Sequence, residues 1–156
     1  MAWTRRPTGW LFDTNVVSVL AAADTPAHVR DWIAGLTPAR CFISALTLGE
    51  YDKGIANLPD GHAERPRLNG LRDEVATRFA GRILPVDAAV ARRWGTISGS
   101  ILGRTGTAPP PVDTLIAATA IEHNLYLVSR DVDDLRPSGA AIFNPWTDKP
   151  GHFKLA

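Results

Sequence analysis

The chain is poor in cysteine and has no long apolar run, and both shortages narrow what it can be. Cys41 is the one cysteine in 156 residues, so no internal disulfide can form, which suits a reducing compartment; a cytoplasmic protein is expected. Its expected place is that of a small buried hydrophobe beside Phe42. Arg, Asp, Gly or Pro interrupts every apolar segment well short of the roughly 20 residues that cross a bilayer, so no membrane association is expected. Residues 1–9 carry Arg5 and Arg6 but no apolar stretch precedes Asp13; they do not read as a secretory signal and are expected to form a short N-terminal extension. A dominant charge is missing too. The formal net charge is +1, so any nucleic-acid contact must come from a local patch rather than a uniformly basic surface. The four histidines, His28, His62, His123 and His152, share no pattern, and no Cys or His pair has the spacing of zinc ligands. There is no internal repeat and no low-complexity tract.

What is present is the composition of one ordinary domain, 45% hydrophobic and 21% charged. A chain of this length can bury roughly 68–70% of its unfolded surface. Short apolar runs alternate with amphipathic stretches, which predicts βα units around a parallel sheet. Strands are expected at Trp10-Leu11-Phe12, Cys41-Phe42-Ile43, residues 81–86, Leu125-Tyr126-Leu127-Val128 and Ala141-Ile142-Phe143. Between them, Val29, Trp32, Ile33 and Leu36 recur at helical spacing after Pro26, and Thr37-Pro38 stops them. Ser44 caps a helix with Leu48, Tyr51, Ile55 and Leu58 on one face. A polar helix over 62–79 buries Leu68, Leu71, Val75 and Phe79. Asp87 caps a further helix with Val90, Trp94, Ile97 and Ile101 inward. Residues 103–111, rich in Gly, Thr and Pro, mark a loop; the small-residue run 115–121 is a helix suited to close packing. The domain is expected to span residues 10–147, with 148–156 as a tail.

Acids sit where such a sheet would bind a ligand. Asp13 ends the first strand, Asp131 lies just past the Leu125–Val128 strand, and Asp113 stands where a loop enters a helix; ligands of open α/β sheets bind beyond the carboxyl ends of the strands. Glu50 joins them from inside the helix after the second strand. Carboxylates gathered so closely raise one another's pKa unless a cation offsets them. All-oxygen donors favour Mg2+ or Mn2+ over zinc, and such an ion lowers the pKa of a bound water and neutralises a phosphodiester in flight. Each acid also has a structural reading: Asp13 as a helix cap, Asp113 in a first helical turn, Glu50 in a Thr47-x-x-Glu50 capping box, and Asp131 with Asp133 and Asp134 in a solvated turn.

Four ordered segments resemble PIN-domain proteins, and in particular the VapC/FitB-like toxin ribonucleases of type II toxin–antitoxin systems. These are Leu11-Phe12-Asp13-Thr14-Asn15-Val16-Val17-Ser18, Ile43-Ser44-Ala45-Leu46-Thr47-Leu48-Gly49-Glu50, Val112-Asp113-Thr114-Leu115-Ile116-Ala117-Ala118-Thr119-Ala120 and Leu127-Val128-Ser129-Arg130-Asp131-Val132-Asp133-Asp134-Leu135. Asn144-Pro145-Trp146 is similar to the tail of that branch. The resemblance implies a three-layer α/β/α sandwich with a central parallel sheet, and Asp13, Glu50, Asp113 and Asp131 as catalytic metal-site acids for Mg2+ or Mn2+. Ser129, Thr14 and Asn15 fill the polar positions of the motifs. It further implies an RNA substrate cut at its phosphodiester bonds, a cognate antitoxin partner and a homodimer. Departures are Val19, where relatives often carry an acid, and Tyr51-Asp52-Lys53 after the glutamate. Asp134 matches a second recurrent acid of the fourth motif and competes with Asp131 for its role.

Arg92, Arg93, Arg104 and Arg130 are candidates for steering a phosphate backbone, against a solvated-surface reading. Trp32 and Trp94 read as core. Two other functions stay open: an RNA- or antitoxin-binding module with negligible catalysis, disfavoured because an acidic pocket repels phosphate without metal, and a phosphatase with Asp13 as nucleophile. Asp13-Thr14-Asn15 lacks the second acid two residues on that haloacid-dehalogenase-like phosphatases use.

Overall fold

Trp10-Leu11-Phe12 are all buried, which a strand tolerates only where both faces of its sheet are covered, and that condition favours parallel pairing. In the computed structural model, which describes residues 5–20 and 22–156, this strand, β1 (Trp10–Phe12), is the centre of a five-stranded sheet in the order β3-β2-β1-β4-β5. Its neighbours are β2 (Cys41–Ser44) and β4 (Tyr126–Val128), with β3 (Ile83–Leu84) and β5 (Ile142–Phe143) at the edges, and every pairing is parallel. Phe12 is in register with Ile43 on one side and Val128 on the other. The chain thus leaves β1 toward one edge first and returns on the other side, so a crevice opens beyond the carboxyl ends of β1 and β4.

Alternation along β1 divides the core into two layers. Trp10 and Phe12 face a cluster with Ile43, Val128 and Phe143 that takes in Val16 and Val17 of α1 (Thr14–Val17) and Val75 of α4 (Glu64–Arg78). Trp32 of α2 (Ala27–Ala34) and Leu48 and Tyr51 of α3 (Ala45–Ala56) pack on the same cluster. Leu11 and Leu127 face the other way, onto Ile116, Ala117 and Ala120 of α6 (Pro111–Glu122). Small residues there bring helix and sheet close together. A third cluster, Val90, Ile97, Ile101 and Ala118, glues α5 (Ala88–Thr105) to α6. The result is the expected α/β/α sandwich. Cys41 is buried, as expected.

Local differences from the sequence reading have visible causes. The third strand shrinks to two residues between Gly81, at φ +79°, and Pro85, which has no N–H to pair. The 103–111 loop is shorter, because α5 runs to Thr105 and closes on Gly106 in the left-handed region, a conformation glycine adopts without strain. The polar helix spans Glu64–Arg78; Val75 and Phe79 are buried, while Leu68 and Leu71 are only half-buried. Residues 1–4 of the expected N-terminal extension lie outside the described residues.

The segment read as a tail packs onto the core. Phe153 packs against Phe143 with the rings tilted at 48° and 4.6 Å between centroids, and meets Tyr126 edge-on at 5.6 Å. The Tyr126 hydroxyl donates to the Lys154 carbonyl, the Ala156 N–H donates to the Pro7 carbonyl at 2.8 Å, and Arg40 donates to the Ala156 carbonyl. Phe153→Ala should therefore cost about 2 kcal/mol of unfolding free energy, less than for a fully buried Phe. Urea titration measures it, and an unchanged midpoint would mean that the segment merely lies on the surface.

Candidate active site

The turn from β1 into α1 sets the first carboxylate. Asp13 is extended at the N-cap of α1, and its Oδ1 accepts the Thr14 N–H at 2.8 Å. Because Phe12 and Val16 bury either side of the turn, the carboxylate sinks with them and is 5% exposed. Its other oxygen, Oδ2, accepts the hydroxyl of Ser129, wholly buried at the end of β4, at 2.8 Å. That bond crosses the crevice between the two strands. Ser129 uses all its capacity: while donating to Asp13, its Oγ accepts the Asp131 N–H at 3.0 Å and Asn15 Nδ2 at 3.2 Å.

Asn15 ties the first and fourth motifs together. Its Nδ2 also donates to Asp131 Oδ2 at 3.0 Å and more loosely to Asp13 Oδ2 at 3.4 Å, and its Oδ1 accepts the Arg130 N–H. Asp131 sits at the N-cap position of the short helix α7 (Val132–Leu135) but makes no cap bond with its side chain, which points at Asn15 instead. Asp113 lies in the first turn of α6, half-buried, and Asp134 is exposed in α7.

Glu50 is half-buried near the middle of α3, not in a capping box: Ser44 caps that helix by accepting the Leu46 N–H. Thr47 is fully buried one turn before Glu50, and its hydroxyl meets that of Thr14 at 3.1 Å. The sequence reading gave Ser44 as the cap, as observed, and named Thr47 only in the alternative capping-box reading of Glu50; its spacing of three from Glu50 is the signal that would have placed it at the site.

The electrostatics show a shared field. Burial pushes the Asp13 pKa up to about 6, against the pull of the Ser129 and Thr14 hydrogen bonds, with Asp113 and Asp131 adding repulsion. Burial also raises Glu50, with Asp113 adding to it and Lys53 and Thr14 opposing. Asp113 is raised by burial and then by Asp131 and Asp134. Asp113 thus repels Asp13 and Glu50 and is itself repelled by Asp131 and Asp134, while Asp131 also repels Asp13. Among the described residues none of the four makes a salt bridge, and no three His, Cys, Asp or Glu side chains stand close enough together, as placed, to hold a metal ion.

The candidate arginines divide. Arg93 pairs with Glu122 at 2.6 Å, and Arg104 donates to the Pro137 carbonyl at 3.3 Å; both serve the α5–α6 side. Arg92 is exposed on α5. Arg130 lies at the site, its guanidinium over the Trp146 ring at 4.5 Å. Trp32 lies in the core, as read, and Trp94 packs at the α5–α6 seam.

An acid whose native pKa is raised holds its proton longer folded than unfolded, so the stability it contributes is present at low pH and is lost as pH rises through the native value. For Asp13 that window runs from its ordinary 3.8 to about 6, worth on the order of 2–3 kcal/mol. The metal-free protein should lose stability from pH 4 to 6.5, and Asp13→Asn should flatten that slope. Urea melts in EDTA at four pH values read it; parallel curves for both proteins would refute the assignment.

The chain as a whole is similar to known proteins. The PIN domain family model matches residues 10–137. A VapC ribonuclease from Sinorhizobium fredii is 32% identical over 142 residues, covering 87% of this chain and 96% of that protein. Toxin FitB from Neisseria gonorrhoeae is 34% identical over 138 residues, covering 88% of this chain and 99% of that one. The crystal structure of FitAcB from Neisseria gonorrhoeae has a similar fold, with a TM-score of 0.75 at 33% identity over 89% of this chain and 99% of that chain.

Proposed function

Because the chain belongs to the PIN domain family, we propose that it is a divalent-metal-dependent endoribonuclease acting as the toxin of a toxin–antitoxin pair. The observation that carries this is the buried Asp13 carboxylate at the β1–β4 crevice, repelled by Asp113 and Asp131 and without a cationic partner among the described residues.

The donor set fits Mg2+ or Mn2+. Every candidate ligand is a hard carboxylate oxygen; burial first, and neighbouring carboxylates after it, raise Asp13, Glu50 and Asp113, and a small dication would offset the charge of the acids when they ionise. Asp13, Glu50, Asp113 and Asp131 would hold it. When bound, such an ion supplies an activated water and neutralises charge on the phosphodiester.

The chain's own residues do the positioning. Ser129 and the Thr14 N–H hold the Asp13 carboxylate in one orientation, leaving its remaining lone pairs toward the crevice. Asn15 holds Asp131 to the end of β1, which favours Asp131 over Asp134 as the fourth acid. Glu50, raised yet open to the crevice, is suited to take a proton from the attacking water.

The toxin role is supported by what the relatives are called, a VapC ribonuclease and toxin FitB; the antitoxin partner is carried over from the family resemblance. We place a second copy of the chain in the assembly on the strength of the family resemblance.

The spread of the carboxylates, too wide as placed to hold an ion, favours one competing reading, a module that binds RNA or antitoxin without turnover. Two experiments separate them. Asp13→Asn and Asp113→Asn should each lower RNA cleavage at least 100-fold, on the order of the loss of 3 kcal/mol of transition-state stabilisation, with circular dichroism unchanged. EDTA should abolish cleavage by the unaltered protein, and Mn2+ should restore it. RNA retained but never cut, with or without Mn2+, would establish the binding module instead.

A further inference from the structure

We propose that Arg130, held over the Trp146 ring, is a phosphate-binding residue for the RNA strand beside the cut, and that Trp146 is the residue that positions it. This rests on the nuclease reading and extends it to substrate recognition.

Arg130 stands between Ser129 and Asp131, so its backbone belongs to the site. Its N–H donates to Asn15 Oδ1 at 3.4 Å while the residues on either side are tied by Ser129 Oγ. A side chain leaving so fixed a point reaches a limited region. It lies on the indole of Trp146, with the guanidinium carbon 4.5 Å from the ring centroid, within the range of an attractive cation–π contact.

The unusual feature is what the guanidinium avoids. Asp131, Asp133, Asp134 and Asp148 line the same groove, yet Arg130 forms no salt bridge among the described residues. Three of these acids have other partners. Asp131 accepts from Asn15, Asp133 approaches Arg136 at 3.9 Å, and Asp148 Oδ2 accepts the Asn144 N–H at 2.8 Å. A guanidinium held over an indole by a cation–π contact still has its N–H donors to give, and their planar fork matches the oxygens of a phosphate.

Trp146 is well placed to fix this arm. Its ring packs on the core cluster of Trp10 and Phe143, and its N–H donates to Asn144 Oδ1 at 3.0 Å in a turn just after β5. Its carbonyl meets His28 Nε2 at 3.3 Å. The groove beside them, about 520 Å³ and open, runs from Asp131 past Arg130 to Asn144 and Thr147. A backbone laid along it would pass Asp131, the one candidate site acid that lines the groove, with a neighbouring phosphate within reach of Arg130. A cation there also relieves the repulsion that the acids impose on an approaching strand.

The test uses the full chain in Mn2+ with a fluorescein-labelled, unstructured RNA 20-mer. Arg130→Gln should raise KM about tenfold, the loss of one charge-assisted hydrogen bond, and lower kcat far less. The slope of log affinity against log salt, measured by anisotropy for the Asp13→Asn protein, should fall by about 0.7 when Arg130→Gln is added, as expected for one phosphate on a single strand. In a Trp146→Leu background Arg130→Gln should have under half its effect, because the arm is already unsupported. Should that background not fold, Arg130→Lys replaces it: charge kept but stacking lost, KM should still rise several-fold. An unchanged salt slope, or a fall in kcat at constant KM, overturns the proposal. RNA bound but never cut by the unaltered protein, with the salt slope still lowered by Arg130→Gln, would instead remove the nuclease reading and leave the phosphate contact standing, so the two failures are distinct.

Discussion

The Ser129–Asp13 hydrogen bond is the contact on which the site depends. It joins the ends of β1 and β4, the place where the sheet changes direction and where a crevice must open. A carboxylate this deeply buried is costly unless it is hydrogen-bonded, and a buried serine hydroxyl with a backbone N–H supplies the bonds without supplying charge. A lysine or arginine in that place would have quenched the negative field; hydroxyls and amides orient the acid and leave its charge to be met by something else. The same choice recurs around it. Asn15 serves Asp131 and the Thr14–Thr47 hydroxyl pair sits beside Glu50.

The fold's main lines were legible because the strands are short and wholly apolar while the helices carry their signals in the open. Trp10-Leu11-Phe12 leaves no room for a solvent face, Ser44 and Asp87 cap the helices that they precede, and Pro111 opens α6 at its first turn. Legibility failed where tertiary contacts overrule local composition. Nothing in residues 148–156 has a strand or helix period, yet Phe153 and Leu155 cover the aromatic cluster around Trp10 and Phe143. Residues 81–86 look like a full strand, but an edge position closed by Pro85 leaves two paired residues.

For the site, the acids were readable and their supports were not. Asp13, Glu50, Asp113 and Asp131 stand out by residue type beside strand ends and within helices, and repulsion links Asp113 to Asp13, Glu50 and Asp131. Thr47 looks like a cap residue until the fold turns it toward Thr14. Arg130 is one arginine among several until Trp146, sixteen residues on, slides beneath it. Spacing identifies neighbours on one helix face, but it says nothing about which loop residue meets which strand end across a sheet.

A division of labour follows from where each group is anchored. The groups that orient Asp13 come from strand ends and the first turns after them, the stiffest parts of the molecule, so their geometry costs little to maintain. Arg130 extends from the same turn but rests on a ring rooted in the aromatic core, so the rigidity of that core is passed to an exposed guanidinium. Glu50 and Asp113 differ: each stands on its own helix, and no hydrogen-bonded bridge between them accompanies their repulsion. Helices packed on apolar contacts can shift slightly at small cost, whereas the hydrogen-bonded ends of β1 and β4 cannot.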